Sequence, residues 1–235
     1  FMTVLDPLDL VGLSFFVTSM ALLASTVFFF FESFNVQSKW KTSLIVSGLI
    51  TGIAFIHYLY MRDVWLAGLG TPLVYRYVDW FITVPLQIIE FYLILKIIGS
   101  TPIKLFWKLL TASLIMLLAG YIGEAGIASA FYSFLIGMFA WLYILYEIFF
   151  GTGGKLVVSG QNQSAKMAYI SLKWLVTIGW AIYPIGYLFG IYGGESGVDI
   201  LNIIYNLADF INKIAFGLII WSAAKLDSEK IELST

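Results

Sequence analysis

Seven stretches of this chain stay apolar for about twenty residues, with short polar segments between them. They run over about 8–31, 40–61, 71–98, 103–122, 128–150, 166–190 and 200–224. A helix needs roughly 20 apolar residues to cross a bilayer, where its backbone must satisfy its own hydrogen bonds. The pattern predicts an all-α membrane protein, a seven-transmembrane helix bundle, as a single domain over 1–235. Composition agrees. The chain is 60% hydrophobic and 11% charged, against about 45–50% and about 25% in soluble domains. A net charge of -1 gives no sign of a nucleic-acid partner. The absence of cysteine excludes disulfides and thiol chemistry, and with one histidine no metal site is expected. The sequence starts at Phe1, which suggests that an upstream signal peptide or tag has been removed. The longest connection, "GTGGKLVVSGQNQSAK" from Gly151 to Lys166, is expected as a loop whose "KLVVSG" core forms a small hairpin.

Seven spans place the termini on opposite sides. Lys39, Lys41, Lys96, Lys104, Lys108, Lys155, Lys166, Lys173, Lys225 and Lys230 fall on one side. The other side carries mainly Arg62, beside Asp6, Asp9, Asp63, Glu195 and Asp199. Lysine excess marks cytoplasmic loops, so the N-terminus is expected outside and the C-terminus inside.

Two spans carry charges where charges are costly. The third, "RYVDWFITVPLQIIEFYLIL", holds Arg76, Asp79, Gln87 and Glu90; the seventh holds Asp209 and Lys213. A lysine at a helix centre costs about 2.5–3.5 kcal/mol on insertion scales. Lys213 and Asp209 are four residues apart and share a face. They make either a structural ion pair or a functional amine with its carboxylate, since a desolvated lysine is a good Schiff-base former. In the third span, at about 100° per residue and with Asp79 at zero, Glu90 lies at about 20°, Thr83 at about 40°, Arg76 at about 60° and Gln87 at about 80°. This single stripe must face the bundle interior, either as polar glue between helices or as a pathway. Asp79 and Glu90 are separated by about 16 Å along the axis, with Asp79 in the outer half. Arg76 and a charged nitrogen on Lys213 balance Asp79 and Asp209. Glu90 has no cation to balance it, and apolar surroundings favour its neutral acid. An outer carboxylate, an inner acid and a titratable nitrogen between them form a proton relay with a direction.

These spans, with "RYVDWFITVPL" in the third, "GWAIYPIGY" in the sixth and "NLADFINKIAFG" in the seventh, resemble the microbial rhodopsins, and among them the proteorhodopsin group. The resemblance covers essentially the whole chain. It implies a light-driven outward proton pump rather than an enzyme, in a bacterial inner membrane. It implies all-trans retinal on Lys213 as a protonated Schiff base, Asp79 as primary counterion and proton acceptor, and Asp209 as second counterion. Arg76 would order charge and water on the outer side, and Glu90 would be the proton donor. Thr83 matches the motif threonine one turn after the acceptor. His57 would pair with Asp79 and make its protonation pH-sensitive near neutrality. Gln87 goes with blue absorption in this family. Trp80 and Trp180 are expected to flank the polyene, and Tyr183 to share a hydrogen bond with Asp209. Pro184 and Pro85 are expected to free the carbonyls of Trp180 and Phe81 and so provide hinges. The alternative is a sensory photoreceptor with a slow photocycle, which usually lacks a donor carboxylate. The partners implied are protons, membrane lipid and further copies in a homo-oligomeric ring, pentamer or hexamer. Glu124 is expected at the interface or a protomer contact, and Glu147 as a solvated end charge. Glu195 and Asp199 are loop carboxylates on the outer side.

Overall fold

A computed structural model describes residues 5–232, apart from the side chains of Glu195, Lys230, Ile231 and Glu232. Phe1, Lys230 and the carboxylate of Glu195, invoked above, therefore lie outside what is described. The helices are α1 Leu10–Glu32, α2 Ser38–Leu66, α3 Leu73–Ile98, α4 Ile103–Glu124, α5 Ala130–Phe149, α6 Thr152–Ser159, α7 Gln163–Trp174, α8 Ile182–Tyr192 and α9 Gly194–Glu232. A π-helical turn, Leu175–Gly179, joins α7 to α8. Seven helical stretches are long and apolar enough to cross a membrane: α1 to α4, α5 with α6, α7 with α8, and α9.

Local chemistry sets the boundaries. Asp9 caps α1 by accepting from the Gly12 amide at 2.8 Å, and Asn162 caps α7 through the Ala165 amide at 2.8 Å. Pro72 and Pro102 precede α3 and α4, where a missing N–H costs nothing. Gly126 takes the left-handed conformation (φ 68°) just past α4. Neighbouring spans pack in chain order, and α9 closes the ring against α1, with α2, α7 and α8 also touching it. The burial pattern inverts that of a soluble protein. Ile56, Leu118 and Phe139 lie exposed, while Arg76, Asp79, Glu90, Asn206 and Asp209 are fully buried. Such a surface suits hydrocarbon, and such an interior must satisfy its polar groups internally.

Several boundaries differ from the sequence reading; the seventh span, expected over about 200–224, runs as α9 from Gly194 to Glu232. The second span runs to Leu66 rather than about 61, carrying the buried Arg62 within the helix. The "KLVVSG" hairpin does not form; that segment belongs to α6. The Glu147 carboxylate accepts from the Thr152 amide at 3.3 Å and so supports the start of this short helix. Gly153 lets the chain pass close to the Tyr169 hydroxyl, and Gly154 to the Phe149 carbonyl. Lys155 to Ser159 therefore continue α5 after a break of two residues rather than folding back.

Candidate functional site

The polar stripe of α3 meets a second stripe on α9, Asn202, Asn206, Asp209 and Lys213, all buried. Lys213 projects between two carboxylates. Its Nζ donates to Asp79 Oδ2 and to Asp209 Oδ2, the latter at 2.9 Å. The two acids are held differently. Asp209 also accepts from Tyr58 Oη at 2.8 Å, Tyr183 Oη at 2.7 Å and Trp80 Nε1 at 3.0 Å. Four donors thus hold Asp209 as an anion. Asp79 receives Lys213 on Oδ2 alone, and its Oδ1 has no hydrogen-bond partner. His57 Nδ1 approaches Oδ1 at 3.4 Å but lies closer to the Ile53 carbonyl, at 3.1 Å. Thr83 Oγ1 donates to the Asp79 backbone carbonyl at 2.9 Å.

Arg76 makes no ion pair among the described residues. It donates to Asn206 Oδ1 at 2.9 Å, Asn202 Oδ1 at 3.1 Å and Tyr58 Oη at 3.3 Å. Its guanidinium lies 5.4 Å from the ring centroids of both Phe15 and Tyr205. The expected charge balance with Asp79 and Asp209 is thus carried through amides and a phenol. Glu90 is separate from all of these groups. Its Oε1 accepts from Ser47 Oγ at 2.6 Å, and its Oε2 is buried without a partner.

A cavity begins at Lys213 and extends toward α4 and α5. Trp80, Gln87, Trp180, Tyr183 and Pro184 line it together with Lys213, as do Gly120, Ser133, Gly137 and Trp141 of α4 and α5. Its walls are almost wholly apolar or aromatic, and its charged end is one primary amine. A long apolar group carrying an aldehyde fits these residues. Of the residues predicted to touch a cofactor, only Thr83 lies outside the lining.

Several expectations need correction. The Trp180 carbonyl is not freed by Pro184; it accepts from the Tyr183 amide at 3.2 Å. The irregularity falls one turn earlier, at the π-helical turn. There the Gly179 carbonyl takes Asn212 Nδ2 at 2.9 Å and the Val176 carbonyl takes Trp141 Nε1 at 3.2 Å. Glu147 is not solvated: it is 3% exposed and accepts from Lys108 at 2.6 Å and Tyr143 at 3.1 Å. Glu124 is turned inward, bonded to Tyr77 and Tyr205. Asp199 is exposed. Sequence reasoning missed Ser47, Tyr58, Asn202, Asn206 and Asn212. The stripe analysis applied to α3 would have found most of them, because 202, 206, 209 and 213 repeat at helical spacing, as do Ser43, Ser47 and Thr51 on α2.

A ring of seven membrane helices, with a buried lysine between two carboxylates at the end of an apolar cavity, defines a class. The sequence model of the bacteriorhodopsin-like proteins matches residues 9–226, and the chain belongs to that family. Within it, the chain is 54% identical over 226 residues to the blue-light absorbing proteorhodopsin of Gamma-proteobacterium Hot 75m4, covering 95% of this chain and 90% of the relative. It is 52% identical over 225 residues to the green-light absorbing proteorhodopsin of Gamma-proteobacterium EBAC31A08, with the same coverage of 95% and 90%. The crystal structure of a blue light-absorbing proteorhodopsin from Med12 superposes with a TM-score of 0.82 at 55% identity, covering 93% of this chain and 100% of that one.

Proposed function

We propose that this protein is a light-driven outward proton pump that carries retinal on Lys213 and absorbs blue light. The observation that carries this reading is the unequal treatment of three acids around one amine. Retinal bound to the Lys213 nitrogen would supply visible absorption and, after a photon, a nitrogen that gives up its proton. Asp79 faces that nitrogen with a free oxygen and can take the proton. Asp209, held by four donors, stays an anion and keeps the nitrogen cationic at rest. Glu90, toward the lysine-rich end and hydrogen-bonded only to Ser47, can hold a proton and return it. Arg76, beyond Asp79 toward the opposite end, provides a fixed positive charge that orders the polar groups on the exit side. Trp80 and Trp180 flank the space a polyene would fill.

The lysine excess supports placing Glu90 on the cytoplasmic side and Asp79 on the outer side of a bacterial inner membrane, which makes the direction outward. Relatives absorbing blue and green light lie at nearly equal identity, so overall identity does not decide colour. Gln87 supports blue, because it lines the cavity together with Lys213. A dipole there stabilises a charge on the nitrogen, which excitation moves away, and so widens the gap. The protein works as a transporter rather than an enzyme, in a ring of five or six copies.

The test is direct. Purified protein with all-trans retinal should form a visible band that hydroxylamine bleaches. Illuminated cells in weak buffer should acidify the medium, and a proton uncoupler should abolish this. A coloured protein that never acidifies the medium would instead be a sensory photoreceptor.

A further inference from the structure

Glu124 ends α4, away from the groups around Lys213, and both of its carboxyl oxygens are engaged. Oε2 accepts from Tyr77 Oη at 2.6 Å and Oε1 from Tyr205 Oη at 2.8 Å. Neither phenol has another acceptor among the described residues. The neighbouring phenol, Tyr187, is committed to the Ala130 carbonyl at 2.8 Å. A buried phenol needs an acceptor for its one proton. A protonated Glu124 would add a third proton to two contacts that each already carry one. The ionised carboxylate takes one phenol proton on each oxygen and matches the observed geometry directly.

The position of this charge matters as much as its sign. Tyr77 and Tyr205 both line the cavity, as does Gly120, one turn before Glu124 on α4. A Cβ on Gly120 would lie 2.7 Å from the Tyr77 hydroxyl, so the phenol is seated tightly against α4. Tyr205 precedes Lys213 by about 12 Å along α9. Asp79 and Asp209 put their charge beside Lys213; Glu124 puts one near the α4–α5 end. Excitation moves positive charge from the nitrogen toward that far end. A carboxylate there stabilises the excited state more than the ground state and narrows the gap, opposite in sign to Gln87.

We propose that Glu124 is a second spectral-tuning residue, a carboxylate fixed by Tyr77 and Tyr205 at the α4–α5 end of the cavity. The inference rests on the retinal reading above. It is tested by the absorption maxima of the protein, Glu124→Gln and Glu124→Asp, each purified with retinal. Glu124→Gln should move the band to shorter wavelength, and Glu124→Asp should stay nearer the parent. A Glu124→Gln band at the parent position, or at longer wavelength, overturns the proposal; so do equal shifts in both variants. Should Glu124→Gln not fold, infrared difference spectra of parent against Glu124→Asp, taken before retinal is added, read the charge directly. Carboxylate bands support the proposal and a protonated carbonyl band refutes it. A parent with no visible band would defeat the retinal reading, while the infrared result would still decide the charge.

Discussion

Replacing Glu90 by glutamine should separate the two halves of the proton path. The substitution keeps the size of the side chain and keeps an oxygen for Ser47 Oγ, 2.6 Å away. It replaces the unpartnered Oε2 with an amide nitrogen whose protons also lack partners, at a cost of about 1–3 kcal/mol. The bundle should survive that. The loss falls on function. A positioned proton donor is worth about 10²–10⁴-fold, which is about 3–5 kcal/mol of barrier at 1.36 kcal/mol per decade. Asp79 lies about 16 Å away along α3, so the early proton transfer to it should keep its rate. Flash spectroscopy measures both phases. Recovery of the starting absorption should slow by that factor and become dependent on bath pH, because protons must now come from water. A small permeant weak acid such as azide should restore the rate. Unchanged recovery, or an equal slowing of both phases, would refute the assignment of Glu90.

Gln87→Leu should shift the absorption band to longer wavelength, and an unchanged spectrum would remove Gln87 as the colour determinant. Acidifying the parent should also shift the band to longer wavelength, since protonating Asp79 removes a negative charge beside Lys213; Asp79→Asn should abolish both this transition and light-driven acidification. Asn212→Leu strands the Gly179 carbonyl that Asn212 holds at 2.9 Å, so thermal melting should show a loss of about 1–3 kcal/mol. Lys108→Met leaves the buried Glu147 without its cation, and the melting midpoint should fall.

The seven spans and the α3 stripe were legible because hydrocarbon imposes one rule on every exposed residue, and a violation of that rule stands out. Arg76, Asp79, Thr83, Gln87 and Glu90 violate it at helical spacing, and all are buried together. The order of roles among the acids was less legible. Asp79 and Asp209 look alike in sequence, and only the donors brought by Tyr58, Trp80 and Tyr183 from three other helices distinguish them. Glu147 was misread because it sits near a span end, where solvation is the ordinary outcome; the start of α6 covers it, while Glu124, expected at the interface or a protomer contact, bonds phenols from α3 and α9. The turn Leu175–Gly179 contains three β-branched residues and a Gly, a weak helical signal that does not specify a π-turn; its carbonyls are taken up across the bundle by Asn212 and Trp141.

That turn also fixes the angular phase of the sixth span. A π-helical turn holds one residue more than an α-turn, so everything after Gly179 is rotated by about 100° from where α7 alone would point it. Trp180, Tyr183 and Pro184 face the cavity only because of this offset. Deleting one residue within 175–179 would give an ordinary α-turn with the same downstream phase, whereas straightening the turn at its present length would turn all three away from Lys213. For this stretch the winding of the backbone is as much a part of the site as the identity of its residues.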